Sequence, residues 1–352
     1  MTPGIEATGL RRSFADVRAV RDVSLQALPG RVTALVGPNG SGKTTLLLML
    51  ASLLRPDAGQ IRLGGVDPVA DPRGARALLG WMPDALGAWP SLTVRETLHT
   101  TGRLYRLSRA DAAGRAEQLI AELALEDLAD APARVLSRGQ KQRLGLARAL
   151  VHDPSVLLLD EPASGLDPRA RIELRHLLRR LAAEGRTVLV SSHVLAELDE
   201  VADDAVFLQN GETVGAERLA RAARRMRDWR VRLVTASDAD PDADPRLPIL
   251  TVLDDHDPAG VRRDRRDVLV PFASETEAAQ SLARLVAAGL PIAEFAPATG
   301  ELEHTFLDLG EPDDAPGRPG GDPGRTDTGP GAARDPGDTA GPGAATPGEA
   351  TR

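Results

Sequence analysis

Residues Val32 to Val36 read as a buried strand. They run without a break into Gly37-Pro38-Asn39-Gly40-Ser41-Gly42-Lys43-Thr44-Thr45 and then into the apolar run Leu46-Leu47-Leu48-Met49-Leu50. Strand, glycine-rich loop and helix in that order make the phosphate-binding pattern G-x-x-x-x-G-K-[ST]. Each part has a physical task. Gly37, Gly40 and Gly42 let backbone N–H groups turn inward on phosphate oxygens with no Cβ in the way. The positive end of the following helix adds to that field. Lys43 supplies a compact charge for the β- and γ-phosphates, and the Thr44 hydroxyl is a ligand for Mg²⁺. A lysine stands out here because the chain has only two, Lys43 and Lys141, with arginine at every other basic position.

A second strand signal, Val156-Leu157-Leu158-Leu159, ends in the paired carboxylates Asp160-Glu161. Such a strand delivers its acids to the carboxyl edge of a sheet, where α/β folds bind ligands. Asp160 is placed to hold Mg²⁺ through water. Glu161, one residue on, is placed to orient an attacking water as general base. Thr187–Val190 and Val206–Leu208 add further buried strands with helical patterns between them, which predicts an α/β fold around a largely parallel sheet. Asp167-Pro168 is a helix start, the aspartate as cap and the proline at the first helical position. Asn210-Gly211 is a hairpin turn.

Between loop and carboxylates lies Leu136-Ser137-Arg138-Gly139-Gln140-Lys141-Gln142-Arg143, ahead of an alanine- and leucine-rich helix. It resembles the signature sequence of ABC ATPases, usually Leu-Ser-Gly-Gly-Gln. From residue 5 to about 215 the chain resembles the nucleotide-binding subunit of an ABC transporter. The resemblance implies a P-loop NTPase cassette, a RecA-like core with antiparallel β and helical subdomains, acting on ATP with Mg²⁺. It implies that Phe14 stacks on adenine and that Ser164 to Asp167 form the D-loop. It makes His193, just after the Thr187–Ser191 strand, the switch histidine that contacts the γ-phosphate. Ser137, Gly139 and Gln140 then face a phosphate on a second subunit's P-loop, and a helix N-terminus offers the donors for that. With one P-loop and one signature sequence per chain, a working enzyme needs two copies (a homodimer), or one copy and a paralogous ATPase.

Two positions depart from the family pattern. Asp84, after Gly80-Trp81-Met82-Pro83, stands where the Q-loop glutamine is usual; it is shorter and charged, and joins Thr44 and Asp160 as a candidate metal contact. Arg138 replaces the first of the paired glycines. It either adds a cation near the partner's phosphates or points into solvent. Residues 85–135 read as a mostly helical insert, the part that in transporters receives the membrane subunit. Trp89, beside Pro90 on a loop, is the better docking anchor than Trp81.

Four regions follow: the ATPase domain over 1–215, a basic, alanine-rich helical linker over 216–228, a small α+β domain over 229–310, and a tail over 311–352. The α+β domain reads as strands at Trp229–Val234, Ile249–Leu253 and Val268–Phe272, a helix at Glu275–Ala288 and a strand at Ile292–Phe295. Arg262-Arg263-Asp264-Arg265-Arg266 reads as a solvated turn. The tail holds eight prolines and ten glycines with no aromatic or β-branched aliphatic residue, the composition of a disordered segment.

The full length of 352 residues suits two domains. The absence of cysteine excludes disulfides, thiol nucleophiles and cysteine-ligated metals. His99, His152, His176, His256 and His304 are too scattered to form a metal cluster. With 51 acids against 43 bases the net charge is -8, which argues against nucleic acid as partner. The first residues lack the basic and apolar blocks of a signal peptide. The longest apolar run, Leu46 to Leu54, falls short of the ~20 residues that cross a bilayer. The expectation is a cytoplasmic polypeptide, peripheral on the inner face of the cell membrane through a permease.

Leu-Ser-Arg-Gly, an acid in the Q-loop, a subunit without membrane spans and a small C-terminal domain together resemble the drug- and antibiotic-exporter (ABC-2 type) branch. Glu301 to Leu309 resembles the end common to those ATPases. By that resemblance two such chains sit beneath an integral-membrane permease, ATP closes the dimer, and hydrolysis resets it. The competing class is a soluble ABC ATPase doing mechanical work on ribosomes or DNA. Those usually carry two cassettes per chain or long coiled-coil insertions, and this chain has neither. Intact Lys43, Asp160, Glu161 and His193 speak against a non-catalytic regulatory cassette.

Overall fold

The computed structural model describes residues 2–84, 87, 89–222, 225–234 and 244–310. The tail read over 311–352, and the first positions of the helical insert (85, 86 and 88), lie outside the described residues. The chain opens with an antiparallel hairpin, β1 (Ile5–Phe14) and β2 (Val17–Ala27), followed by β3 (Val32–Val36), α1 (Lys43–Leu50) and β4 (Ala58–Leu63). A short α2 (Pro72–Leu78) leads into β5 (Leu79–Met82). The insert is helical, as expected, with α3 (Val94–Leu104) and α4 (Arg109–Glu122), and α5 (Arg138–Leu150) returns the chain to the core. Then come β6 (Val156–Asp160), α6 (Pro168–Ala183), β7 (Thr187–Ser191), α7 (Leu195–Asp199), β8 (Asp204–Gln209), β9 (Glu212–Thr213) and α8 (Ala216–Ala222).

These strands form one sheet in the order β4-β1-β2-β9-β8-β3-β7-β6-β5. The stretch from β8 to β5 is parallel, and β1, β2 and β4 pair antiparallel. β3, β6 and β7 are buried on both faces, which is why they read as continuous apolar runs rather than alternating ones. Val32, Leu157, Leu159, Val188 and Val190 face a core shared with α5 and α6. Leu35, Leu158 and Leu189 face the opposite core, filled by Leu46, Leu47 and Leu50 of α1 and by β1 and β2. Asn210 (φ +52°) and Gly211 (φ +80°) make the expected turn between the antiparallel β8 and β9.

The C-terminal region has its own sheet and its own core. It comprises β10 (Arg227–Leu233), α9 (Arg246–Val252), β11 (Arg262–Asp264), β12 (Asp267–Phe272), α10 (Glu275–Ala287), β13 (Ile292–Pro297) and α11 (Glu301–Gly310). The first six elements run β-α-β-β-α-β, and the sheet order is β11-β12-β10-β13, a ferredoxin-like split βαβ arrangement. Two readings of the sequence are corrected here. Ile249–Leu253 falls within helix α9 and its C-cap and is not a strand: Ile249 and Leu253, one helical turn apart, are both buried in the small core. Short apolar runs fit either period, and here the four-residue spacing prevails. Of the helical stretch read over 216–228, Ala216–Ala222 is helix, while Arg227 and Asp228 already belong to β10. In the arginine run the turn is made by Arg265 (φ +56°), while Arg262 to Asp264 pair with β12 as an exposed, charged edge strand.

The last helix leaves the small sheet and packs on the cassette. Leu309 is buried in the large core with Phe207, Val214 and Ala222, and Leu302 and Phe306 lie against it. Asp199 Oδ1 accepts the Leu302 N–H (2.8 Å), while Gln209 Nε2 and Arg218 Nη2 donate to the Leu309 carbonyl (3.3 and 3.0 Å). Both ends of α11 are thus capped by cassette side chains. No helix among the described residues is long and apolar enough to cross a membrane.

Candidate active site

Four parallel strands end side by side at one edge of the sheet, and each delivers part of the site. β3 feeds the Gly37–Thr45 loop, β5 leads to Asp84, β6 ends at Asp160 and continues into Glu161, and β7 ends at Ser191 two residues before His193. This is the carboxyl edge, where open α/β sheets bind ligands.

In the loop, Gly40 (φ +81°) and Gly42 (φ +99°) occupy left-handed backbone that only glycine adopts readily. A Cβ at Gly42 would stand 2.5 Å from the Ala19 carbonyl of β2, so the loop is packed tightly on that hairpin. Gly40 has no heavy atom within 4 Å of the same point and faces open space. Lys43 Nζ donates to the carbonyls of Gly37 (2.7 Å) and Pro38 (3.1 Å), its own loop. Burial pulls the Lys43 ammonium below its usual range, against the opposing pull of Glu161 and Asp160. Ser41 is buried and its hydroxyl has no partner. Asn39 and Thr44 are exposed, and Thr45 is half-buried. An open glycine cradle, an orphaned hydroxyl and an ammonium resting on neutral carbonyls suit a phosphate. Phe14 is exposed at the tip of the β1–β2 hairpin, whose second strand flanks the loop, and the Arg12 guanidinium carbon lies 4.9 Å from its ring centre.

Asp160 is buried and accepts a 2.5 Å hydrogen bond from Ser191 Oγ, its partner across the parallel register. Burial pushes the Asp160 carboxyl up; Ser191 and Lys43 pull it down, and the charge of Asp84 pushes it further up. A cation near Asp84 and Asp160 would relieve that repulsion, and hard oxygen donors such as these carboxylates and the Thr44 hydroxyl suit Mg²⁺. No group of three or more His, Asp or Glu among the described residues could hold a metal alone.

Glu161 turns on a left-handed backbone, φ +52°. Its N–H donates to the Ser191 carbonyl (3.1 Å), and its carbonyl accepts from Ser164 N–H (3.1 Å) and Gln142 Nε2 (3.3 Å). Its carboxylate Oε2 meets His193 Nδ1 at 2.7 Å. Ser191 and Gln142 were not singled out from sequence. A serine ending a strand and a glutamine inside a helix carry no local pattern, and only the parallel register and helix packing bring them here.

The signature segment forms a second group. Ser137 caps α5 in a reciprocal box with Gln140: Ser137 Oγ accepts the Gln140 N–H (3.3 Å) and Gln140 Oε1 accepts the Ser137 N–H (2.9 Å). Gly139 packs against Gly165 and Leu166. Arg138 is exposed, and within this chain its Nη2 donates to Ser164 Oγ (2.6 Å) while its stem covers Gly165. Asp167 caps α6 by accepting the Ala170 N–H (2.9 Å), and that bond holds its carboxyl below the usual range. Trp81 packs against the core, whereas Trp89 is 40% exposed with the Arg148 guanidinium carbon 5.6 Å from its ring centre.

Residues 20–164 match the family model described as ABC transporter. The chain is 38% identical over 213 residues to the Nod factor export ATP-binding protein I of Ralstonia nicotianae, covering 60% of this chain and 66% of that protein, just under two thirds of its length. It is 32% identical over 306 residues to the daunorubicin resistance ATP-binding protein DrrA3 of Streptomyces coeruleorubidus, covering 87% of this chain and 95% of that one. Among solved structures, an ATP-binding subunit of an ABC transporter superposes with a TM-score of 0.57 at 28% identity, over 62% of this chain and 92% of the other. With the phosphate loop, the paired carboxylates and the capped signature helix arranged on this sheet, and with a relative matched over nearly its whole length, the chain belongs to the ABC transporter family as an ATP-binding subunit.

Proposed function

We propose that this chain hydrolyses ATP to power an exporter whose membrane-spanning permease is a separate polypeptide. The observation that carries the reading is the 2.7 Å contact between Glu161 Oε2 and His193 Nδ1, at a sheet edge shared with Lys43 and Asp160. In this reading the loop N–H groups and Lys43 bind the phosphates, and Phe14 receives the adenine ring. Thr44, Asp84 and Asp160 hold Mg²⁺, which when bound neutralises phosphate charge. Glu161 orients the attacking water and takes its proton, and His193 keeps that carboxylate turned toward the γ-phosphate. Ser137, Gly139 and Gln140 complete the site of a second copy or a paralogous ATPase.

Export rests on the relatives, one named for Nod factor export and one for daunorubicin resistance. The second match covers 87% of the chain and so includes most of the C-terminal region. In this reading the cassette ends near residue 215, after β9, and the second sheet opens with β10 at Arg227. The protein then works at the inner face of the membrane, held there by its permease. To test this, the tagged Glu161→Gln protein is expressed in its host, membranes are solubilised gently with ATP, and co-purifying proteins are identified. A polytopic protein of about six spans at equal stoichiometry is expected. Recovery only in the soluble fraction, with ribosomes or DNA-repair proteins, rejects the transporter reading.

A further inference from the structure

Glu161 holds a backbone conformation that is doubly unusual. Its φ of +52° is disfavoured for any residue with a Cβ, and the following Pro162 narrows its choices again. Such a conformation persists only where the surroundings fix it. Two of the fixing contacts are local or come from the adjoining strand: Ser164 N–H on the Glu161 carbonyl, and Glu161 N–H on the Ser191 carbonyl. The third comes from a separate element. Gln142 on α5 donates its Nε2 to the same carbonyl at 3.3 Å. Gln142 is 3% exposed, and its Oε1 is buried with no partner. An apolar side chain of similar size would fill that space without an orphaned acceptor, so the amide's cost is offset by what its N–H does. Arg138, one turn earlier on α5, bonds Ser164 Oγ at the other end of the same turn.

We propose that Gln142 is a positioning residue for Glu161: its amide pins the Glu161 carbonyl and so keeps the carboxylate turned toward His193. This rests on the reading of Glu161 as the base. Gln142 touches neither the loop nor Lys43, so nucleotide affinity is independent of it.

The test uses the full chain and Mg-ATP hydrolysis. Gln142→Met keeps the volume and removes the donor. Its kcat is expected to fall about tenfold or more, as for a misaimed catalytic group, with KM and ATP affinity unchanged. Placed in the Glu161→Gln background, Gln142→Met is expected to lower the residual rate no further, because the group it aims is already gone. A wild-type kcat for Gln142→Met, or an equal loss in both backgrounds, overturns the proposal. Should Gln142→Met fold poorly, Gln142→Glu serves instead. Its protonated carboxyl can donate to the carbonyl and its ionised form cannot, so its rate relative to wild type is expected to recover as pH falls. A ratio that stays low at every pH overturns the proposal. Glu161→Gln turning over like wild type refutes the base assignment itself, whatever Gln142 does.

Discussion

His193 Nδ1 lies 2.7 Å from Glu161 Oε2, and of the two side chains the glutamate is the buried one, 17% exposed against 63%. The pair bridges the ends of two neighbouring strands, so the carboxylate is held from above by a group that solvent can reach. Glu161→Gln is expected to bind ATP normally and to lose about 10²- to 10⁴-fold in kcat. Steady-state hydrolysis beside calorimetry checks both, and a near-normal turnover would remove Glu161 from the role of base.

Lys43 rests on the carbonyls of Gly37 and Pro38, contacts that a phosphate would outcompete. Lys43→Ala should weaken ATP binding by about one to two orders of magnitude, the weight of a charge-assisted bond. An unchanged dissociation constant in calorimetry contradicts the loop's assignment.

His152 is stacked on Tyr105 with ring centres 3.6 Å apart, and its Nε2 meets the Leu79 carbonyl at 3.0 Å. Burial pulls its pKa from 6.5 to about 4. The unfolded chain therefore takes up a proton that the native state refuses. The stabilisation is complete above pH 6.5 and drains away as pH falls toward about 4. Relative to His152→Gln, which cannot titrate, wild type should lose on the order of 2 kcal/mol of unfolding free energy between pH 7 and about pH 4.5. Urea denaturation at several pH values reads this directly. Parallel curves for the two proteins would mean that His152 titrates as it does in the unfolded chain.

The docking of α11 on the cassette should be measurable as stability. Leu309→Ala is expected to cost about 2–3 kcal/mol, as for a buried leucine. Asp199→Ala, which frees the Leu302 N–H, should cost about 1 kcal/mol, with Asp199→Asn milder because an acceptor remains. If Leu309→Ala leaves the denaturation midpoint in place, the helix contributes nothing to the cassette core.

The cassette was readable because its strands are buried on both faces and its loops carry chemistry that fixes residue types. Val32–Val36, Val156–Asp160 and Thr187–Ser191 could hardly be anything else, and Asp167-Pro168 and Asn210-Gly211 state their own geometry. The C-terminal region offered no such markers. Ile249–Leu253 is apolar but for Thr251, so its period was ambiguous, and Arg262 to Asp264 are all exposed and charged, with no apolar alternation to mark a strand. At the site, the residues proposed to touch phosphate carry motifs, while Ser191 bonds the Asp160 carboxylate and Gln142 the Glu161 carbonyl. Ordinary types at ordinary positions become visible only once β6, β7 and α5 are assembled.

The small sheet is entered after α8 and left through α11, and those two helices lie against each other on the cassette. A body moored at two adjacent points resists the swinging that a single tether allows. One of its moorings, Asp199 on α7, lies six residues beyond His193. The C-terminal sheet is thus tied to the chain segment that carries His193 through the Asp199 carboxylate of α7 and the apolar side chains of α11.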